Sequence, residues 1–246
     1  MHIISWNVRG LGGSEKRREV CHMVREKNPY ILCLQESKLS VVNDLVGKAL
    51  WNDTNVDFSY QPSVGASGGM ITLWNRKEVE VWFSFNMEHV LGVQGQFLKS
   101  GEQFTILNVY APCDSQRQQV LWQNIVVRLA TMSDENVCIC GDFNAVRCPE
   151  ERRSVGGAVN LSSSASFNDM IDSNCLVDLP LRGRIFTWYR GDGRSMSRID
   201  RFLLSEKWCA TWPNCFQMAS ARGLSDHCRY NYVLILQIGD RNRFVC

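Results

Sequence analysis

An apolar run, Val137-Cys138-Ile139-Cys140, breaks into Gly141-Asp142-Phe143-Asn144, so an acid and an amide stand two residues apart at the mouth of a buried strand. Five further clusters put polar residues beside apolar runs: Ser5-Trp6-Asn7, Gln35-Glu36-Ser37-Lys38, Asn108-Val109-Tyr110, Ser197-Arg198-Ile199-Asp200 and Ser225-Asp226-His227. Singly, each has an ordinary explanation. A strand-end Asp or Asn caps a helix or makes a turn, a lone Glu is solvated, and a lone His is structural. As a set they supply carboxylates for a hard cation, an amide, a phenol, and a histidine with carboxylates beside it. Carboxylate and carbonyl oxygens suit Mg²⁺, which is usually held by one or two carboxylates plus a substrate phosphate. A His near an Asp suits acid–base work or stabilisation of a charged phosphate.

Those residues need elements to hold them. His2 to Val8 reads as a strand, Gly10 to Gly13 as a turn, and Ser14 as the cap of a helix to about Lys27, with Val20, Met23 and Val24 at helical spacing. Asn28-Pro29 ends that helix, and Tyr30 to Leu34 is a short strand that delivers Gln35-Glu36. From Val56 to Tyr110 the pattern becomes successive strands, among them 70–74, 79–85, 90–98 and 104–110. A helix follows over about 115–131, with Val120, Leu121, Ile125, Val127 and Leu129 available for its buried side. Residues 147–166 are polar and read as a loop into a short helix. Ile185 to Trp188 and Ser197 to Leu204 flank Gly191-Asp192-Gly193 and predict a hairpin. Strands in the middle with helices on either side predict an α/β (α+β) fold, two packed sheets covered by helices on both outer faces. One domain over 1–238 is expected, with a short atypical tail at 239–246.

The chain has 246 residues, 45% of them hydrophobic, enough for one large core. Its formal net charge of +2 does not by itself announce a nucleic-acid binder. No stretch approaches the ~20 apolar residues of a membrane span. The first residues lack a basic leader, so an intracellular, nuclear or cytoplasmic, location is expected. The 11 cysteines form no C-x-x-C pair and no zinc-like cluster, and read as small hydrophobes in a reducing compartment.

The order of the motifs SWNVRGL, LCLQESK, NVYAP, GDFNAV, SRIDRFLLS and SDH, from Ile3 to His227, resembles the endonuclease/exonuclease/phosphatase superfamily with the DNase I-like fold. The stretch LPLRGRIFTWYRGDGRSMSRIDRFLLSEKW makes it most similar to the apurinic-type endonuclease domain of plant LINE retrotransposons. The resemblance implies a four-layer α/β/β/α sandwich of two mainly antiparallel sheets. It implies a Mg²⁺-dependent phosphodiesterase, with Mn²⁺ as a substitute. Glu36 would be the principal metal ligand, with Asn7 beside it and Asp226 near the metal. Asp142 would orient or deprotonate the attacking water, and Asn144 would bind the scissile phosphate. Tyr110 would contact the phosphate or the leaving group, and His227, oriented by Asp200, would stabilise developing charge. Arg9 departs from the family pattern, which usually has Asp there, and weakens a second metal site. Double-stranded DNA is the expected partner, with the domain a monomer in isolation and a reverse transcriptase domain following it in a full-length parent.

Between Arg182 and Arg201, six arginines stand against two aspartates. This cluster, interleaved with Trp188 and Tyr189, suits phosphate contacts, with Arg190 and Arg194 bracketing the turn. Two other readings stay open: another phosphodiesterase or phosphatase acting on RNA or small phosphate esters, or an inactive fragment that still binds nucleic acid.

Overall fold

Runs of β-branched and aromatic residues, broken by Gly, Asn and Pro, build the sheets on which everything else is hung. The computed structural model describes residues 1–234 except 66, 155–160 and 192. The tail expected at 239–246 and Asp192 lie outside the described residues. In chain order the elements are β1 (His2–Asn7), α1 (Ser14–Lys27), β2 (Ile31–Gln35), α2 (Asp44–Trp51), β3 (Val56–Val64), β4 (Ser67–Asn75), β5 (Val79–Met87), β6 (Val90–Phe97) and β7 (Gln103–Tyr110). There follow α3 (Ser115–Ala130), β8 (Val137–Asp142), β9 (Arg152–Arg153), α4 (Leu161–Ser173), β10 (Val177–Asp178), β11 (Leu181–Arg182), β12 (Trp188–Tyr189), β13 (Met196–Ser197), β14 (Asp200–Leu204), α5 (Glu206–Thr211), β15 (Cys215–Arg222) and β16 (Cys228–Leu234).

Two large sheets face each other. One has the order β11-β15-β16-β1-β2-β4-β3, the other β10-β14-β8-β7-β6-β5. Both are mainly antiparallel, with β1–β2 and β7–β8 among the parallel pairs. Ile3, Cys33, Val93, Ile106, Cys138, Cys140 and Phe202 fill the space between them. Outside the first sheet, Val20, Met23 and Val24 of α1 and Leu50 and Trp51 of α2 pack on Ile4, Leu32, Ile71 and Leu73. Outside the second, Leu121, Trp122 and Ile125 of α3 and Phe167, Met170 and Ile171 of α4 pack on Leu107, Ile139 and Leu203. The α/β/β/α layering expected from the motifs is the one observed, and Cys33, Cys138 and Cys140 are buried thiols as expected.

Three expectations are corrected, and one helix is added. Gly13, not Ser14, caps α1, and no side chain supports that cap. The buried side of α3 is Gln118, Leu121, Trp122, Ile125 and Leu129, whereas Val120 and Val127 are exposed. Helix α2 was not foreseen. The hairpin is also shorter than its flanking runs suggest. Only Trp188–Tyr189 pairs with Met196–Ser197, and the chain then leaves for β14, which pairs with β8 in the second large sheet. Strand β13 instead takes β9 as its other neighbour, giving a small three-stranded sheet β12-β13-β9.

Gly141 shows how tightly the site's own strand is packed. It has φ 142°, and a Cβ there would run into the Val109 carbonyl of the neighbouring β7. Gly141→Ala should therefore lower stability by about 2 kcal/mol or more, read as a fall in the urea midpoint. An unchanged midpoint would show that β7 and β8 can separate locally at no cost.

Candidate active site

The polar exits of both sheets converge at one end of the sandwich. In the second sheet Tyr110, Asp142 and Asp200 stand side by side in register on β7, β8 and β14. In the first, Asn7 lies beside Gln35 at the ends of β1 and β2, and Glu36 follows directly. His227 immediately precedes β16, the antiparallel neighbour of β1.

Three exit residues, Arg9, Glu36 and Asn144, adopt left-handed backbone conformations (φ 52°, 55° and 49°). Non-glycine residues there carry strain, which persists only where the surroundings over-determine it. Around Glu36 the backbone is pinned by Ser37 N–H donating to Gly69 O at 2.9 Å and Lys38 N–H donating to Gly68 O at 3.0 Å. Gly69 (φ 81°) has no room for a side chain, because a Cβ would collide with Ser37 Oγ.

Asp142 is buried, with 1% of its surface exposed. Its Oδ2 accepts from Asn7 Nδ2 at 2.9 Å, and its Oδ1 accepts from the Asn144 amide at 3.0 Å. His227 Nε2 lies 3.7 Å from Asp142 Oδ2. On the far side of the ring, Nδ1 is 3.0 and 3.1 Å from the two oxygens of Asp200. The ring is thus held between two buried carboxylates. Burial opposes its charge, but Asp200 and then Asp142 overcome that and raise its pKa to about 9. Burial pushes the Asp142 carboxyl up to about 7, with His227 opposing, Asp200 adding, and Asn7 and Asn144 opposing through hydrogen bonds. A base poised near neutrality is suited to taking a proton from water.

The ligand atoms of Asp142, Asp200 and His227 lie within 4.8 Å of one another, a spacing that could hold a metal. Their hydrogen bonding argues for a proton and charge relay instead, since Nδ1 is committed to Asp200 and the ring is held in its charged form. Glu36 has the better environment for a cation. It is 8% exposed, and Lys38 Nζ at 3.3 Å and Arg9 Nε at 3.9 Å already lean on it. Both contacts are looser than the 2.7 Å one that Arg9 makes to Asp226, so the Glu36 carboxylate can exchange them for a hard divalent ion. Among the described residues Asn7 Oδ1 accepts from the Arg9 amide alone, at 3.0 Å, which leaves it a second lone pair.

The other expected residues are placed less uniformly. The Asn144 side chain donates to Ala111 O at 2.8 Å, so the loop after β7 holds it at the site. Tyr110 is half-buried; burial, with the charges of Glu36 and Asp142, pushes its phenol up and keeps it protonated. Asp226 accepts from Arg9 Nη1 at 2.7 Å and Trp188 Nε1 at 3.1 Å, both on Oδ2. Trp188 thus ties the hairpin to the rim of the site rather than to the core, and it also forms a β-bridge with His227. Arg190 and Arg194 are exposed at the hairpin tip.

The local excess of arginine does not all face outward. Arg201 is fully buried and Arg198 largely so, with 14% of its side chain exposed. Arg201 pairs with Glu151 and, at 2.6 Å, with Asp178. Arg198 pairs with the same two acids at 3.3 and 2.6 Å. They are internal ties, because Glu151 and Asp178 fold back onto β14, and they are unavailable to a phosphate backbone.

Two positioning residues were missed. Thr187 is fully buried, and its Oγ1 accepts from both Ile199 N–H and Asp200 N–H at 3.0 Å, while its carbonyl accepts from Cys228 N–H. It therefore fixes the chain at Asp200 and just after His227 together. Ser225 Oγ donates to Asn7 O at 2.8 Å and accepts from His227 N–H at 3.2 Å. The sequence signals were modest: a Thr beside the Trp of the predicted hairpin, and the Ser of Ser225-Asp226-His227.

Residues 4–227 match the family model for the endonuclease/exonuclease/phosphatase family. An exodeoxyribonuclease of Bacillus subtilis (strain 168) is 24% identical over 256 residues, covering 95% of this chain and 99% of that one. Among solved structures, an AP endonuclease from Leishmania major superposes with a TM-score of 0.74 at 22% identity, covering 94% of this chain and 86% of the other. A 3′ phosphatase from Neisseria bound to a product DNA hairpin gives 0.70 at 16% identity, covering 95% and 99%. At these identities the structural likenesses show the fold.

The Asp200–His227 contact makes a measurable claim about charge. In metal-free protein the His227 imidazole should titrate near 9 by NMR, well above the ordinary 6.5. Because its folded pKa is raised, its share of stability is fully present below about pH 6.5 and lost as pH rises through about 9. Asp200→Asn removes the largest favourable charge and leaves burial, so the midpoint should fall toward or below 6.5. A midpoint still near 9 in Asp200→Asn would remove Asp200 as the partner that holds the charge.

Proposed function

The chain belongs to the endonuclease/exonuclease/phosphatase family and is a hydrolytic nuclease-type enzyme; from that premise we propose that it is a divalent-metal-dependent DNA endonuclease, of the nicking type found in LINE retrotransposons. The observation that carries the reading is the convergence of Asp142, Asn144, His227 and Asp200 at one sheet end, with Glu36 and Tyr110 facing the same mouth.

Hydrolysis of a phosphodiester needs an aligned water and positive charge or donors at the non-bridging oxygens. Asp142 takes the proton from the water that attacks phosphorus, while Asn7 and the Asn144 amide hold its carboxylate still. His227, charged between Asp200 and Asp142, donates toward the phosphate oxygens as negative charge builds there. The second hydrogen of Asn144 Nδ2, whose first goes to Ala111 O, contributes a further donor. Tyr110 keeps its proton at neutral pH and passes it toward the leaving oxygen as the P–O bond opposite the water breaks. Glu36 and Asn7 would hold Mg²⁺, which would supply further positive charge at the phosphate. No covalent enzyme intermediate is required.

Exposed arginines support DNA as the substrate. The pairing of β9 with β13 sets Arg152 and Arg153 beside the hairpin that carries Arg190 and Arg194, and all four are exposed. Through Trp188 this basic sheet is tied to Asp226 and His227. On another side, a groove of about 630 Å³ opens beside Tyr110, lined among others by Gln61, His89 and Arg117. A duplex backbone laid across the site would meet positive charge on the hairpin side and a polar groove beyond Tyr110. Within the described residues no helix is long and apolar enough to cross a membrane.

A plasmid-nicking assay with Mg²⁺ against EDTA tests the reading. Glu36→Gln and Asp142→Asn should each cut nicking by orders of magnitude, and Asp142→Asn should bind DNA as well as wild type or tighter. Wild-type rates in Glu36→Gln at limiting Mg²⁺ would sink the metal assignment; no metal-dependent nicking by wild type would sink the endonuclease reading. The hairpin is tested separately. Arg190→Ala with Arg194→Ala should leave stability nearly unchanged, weaken DNA binding, and flatten its salt dependence by about one to two units of slope. An unchanged slope would leave the tip as solvated structure.

A further inference from the structure

Arg9 leaves β1 in the left-handed region, with its amide tied to Asn7 Oδ1. That anchor fixes where its side chain starts. Its Nη1 donates to Asp226 Oδ2 at 2.7 Å, and its Nε lies 3.9 Å from Glu36 Oε2. One guanidinium therefore bridges the two acids that flank the mouth of the site. Nearly half of its side chain, 47%, remains open to solvent, and its charge reaches Tyr110 and Cys113.

Asp226 is correspondingly lopsided. Its Oδ2 takes two donors, from Arg9 and Trp188, while Oδ1 is buried and has no hydrogen-bond partner among the described residues. A divalent ion placed on Oδ1 would share one carboxylate with a guanidinium at 2.7 Å, so like charges would meet across a single group. With Arg9 gone, the same carboxylate would be an uncompensated, partly buried anion with a free oxygen, which is what a hard cation seeks.

We propose that Arg9 stands in for a second cation: it neutralises Asp226, restricts the site to one divalent ion, on Glu36, and offers its open donors to a non-bridging oxygen of the substrate phosphate. Asp226 is then an anchor for Arg9 and the hairpin rather than a metal ligand. A planar fork with several donors suits both tasks, since it can hold a carboxylate oxygen and still face a phosphate. The phosphate contact rests on the nuclease reading above; the ion count does not.

The test counts Mn²⁺ ions, as a probe for Mg²⁺, on the full chain without nucleic acid, by calorimetry and by electron paramagnetic resonance of the free ion. Wild type should bind one ion, and Glu36→Gln should lose it. Arg9→Ala should bind two, and adding Asp226→Asn should return the count to one. Arg9→Lys keeps a positive charge at the same place and should stay at one, which separates charge from any general loosening of the mouth. Two ions or none on wild type, or a single ion on Arg9→Ala, overturns the assignment. For the phosphate contact, duplex binding is measured in EDTA. The double variant Arg9→Ala, Asp226→Asn should show a salt slope about one unit flatter than Asp226→Asn alone; equal slopes overturn that contact. If the counts hold while no variant or wild type nicks DNA, the nuclease reading falls and the single-ion site stands.

Discussion

A carboxylate taken almost completely out of water is the constraint around which this end of the molecule is arranged. Asp142 ends a strand whose body is wholly buried, and an isolated charge there would cost several kcal/mol. Its surroundings answer that cost from both sheets. Asn7 reaches across from the first sheet, the chain turns back at Asn144 so that its amide can donate, and His227 sits opposite with Asp200 behind it. Each partner is held by a further bond: Asn7 through its carbonyl to Ser225, Asp200 through its amide to Thr187, Asn144 through its side chain to Ala111. What satisfies the buried acid also builds a site in which a base, a charged donor and an amide face one mouth.

Much of this was legible in the chain because strand ends announce themselves. Apolar runs that close on Asn7, Glu36, Tyr110 and Asp142, and one that opens on Asp200, put those residues at strand ends, and the sandwich gathers these ends at one rim. What was lost is what only tertiary packing decides. Helix α2 is eight residues long with Gly47 in its middle, a weak local signal; the glycine is there because a Cβ would press on the Phe58 ring. Val120 and Val127 look like core residues by type, but α3 turns Leu121, Trp122 and Ile125 inward, where Phe143 and Phe167 meet the Trp122 ring.

Charge was misread for a related reason. Counting arginines along a window sees neighbours in sequence, whereas Arg198 and Arg201 are neutralised by Glu151 and Asp178, the former at the end of a single 3-10 turn about fifty residues away. The same pair of acids draws in Arg147, whose amide donates to Glu151 at 2.7 Å. This buried network ties the segment after β8 to the start of β14. Breaking one member would leave an unpaired buried charge, so its value lies in geometry more than in net stability.

That geometry explains why the hairpin ends where it does. If 197–204 continued as the second arm of a long hairpin, Asp200 would lie on that arm and not beside Asp142. Instead, Thr187 accepts the amides of Ile199 and Asp200, Arg198 and Arg201 are clamped, and β14 is committed to β8. Asp200 therefore belongs to the floor made by the second large sheet, while Trp188 and the two arginines beyond it belong to an element joined to the site through β9, Asp226 and the Trp188–His227 bridge. The residues around Asp142 sit on or beside paired strands of the two large sheets, and the exposed arginines sit on a small sheet that meets this floor at Trp188, through its bridge to His227 and its bond to Asp226.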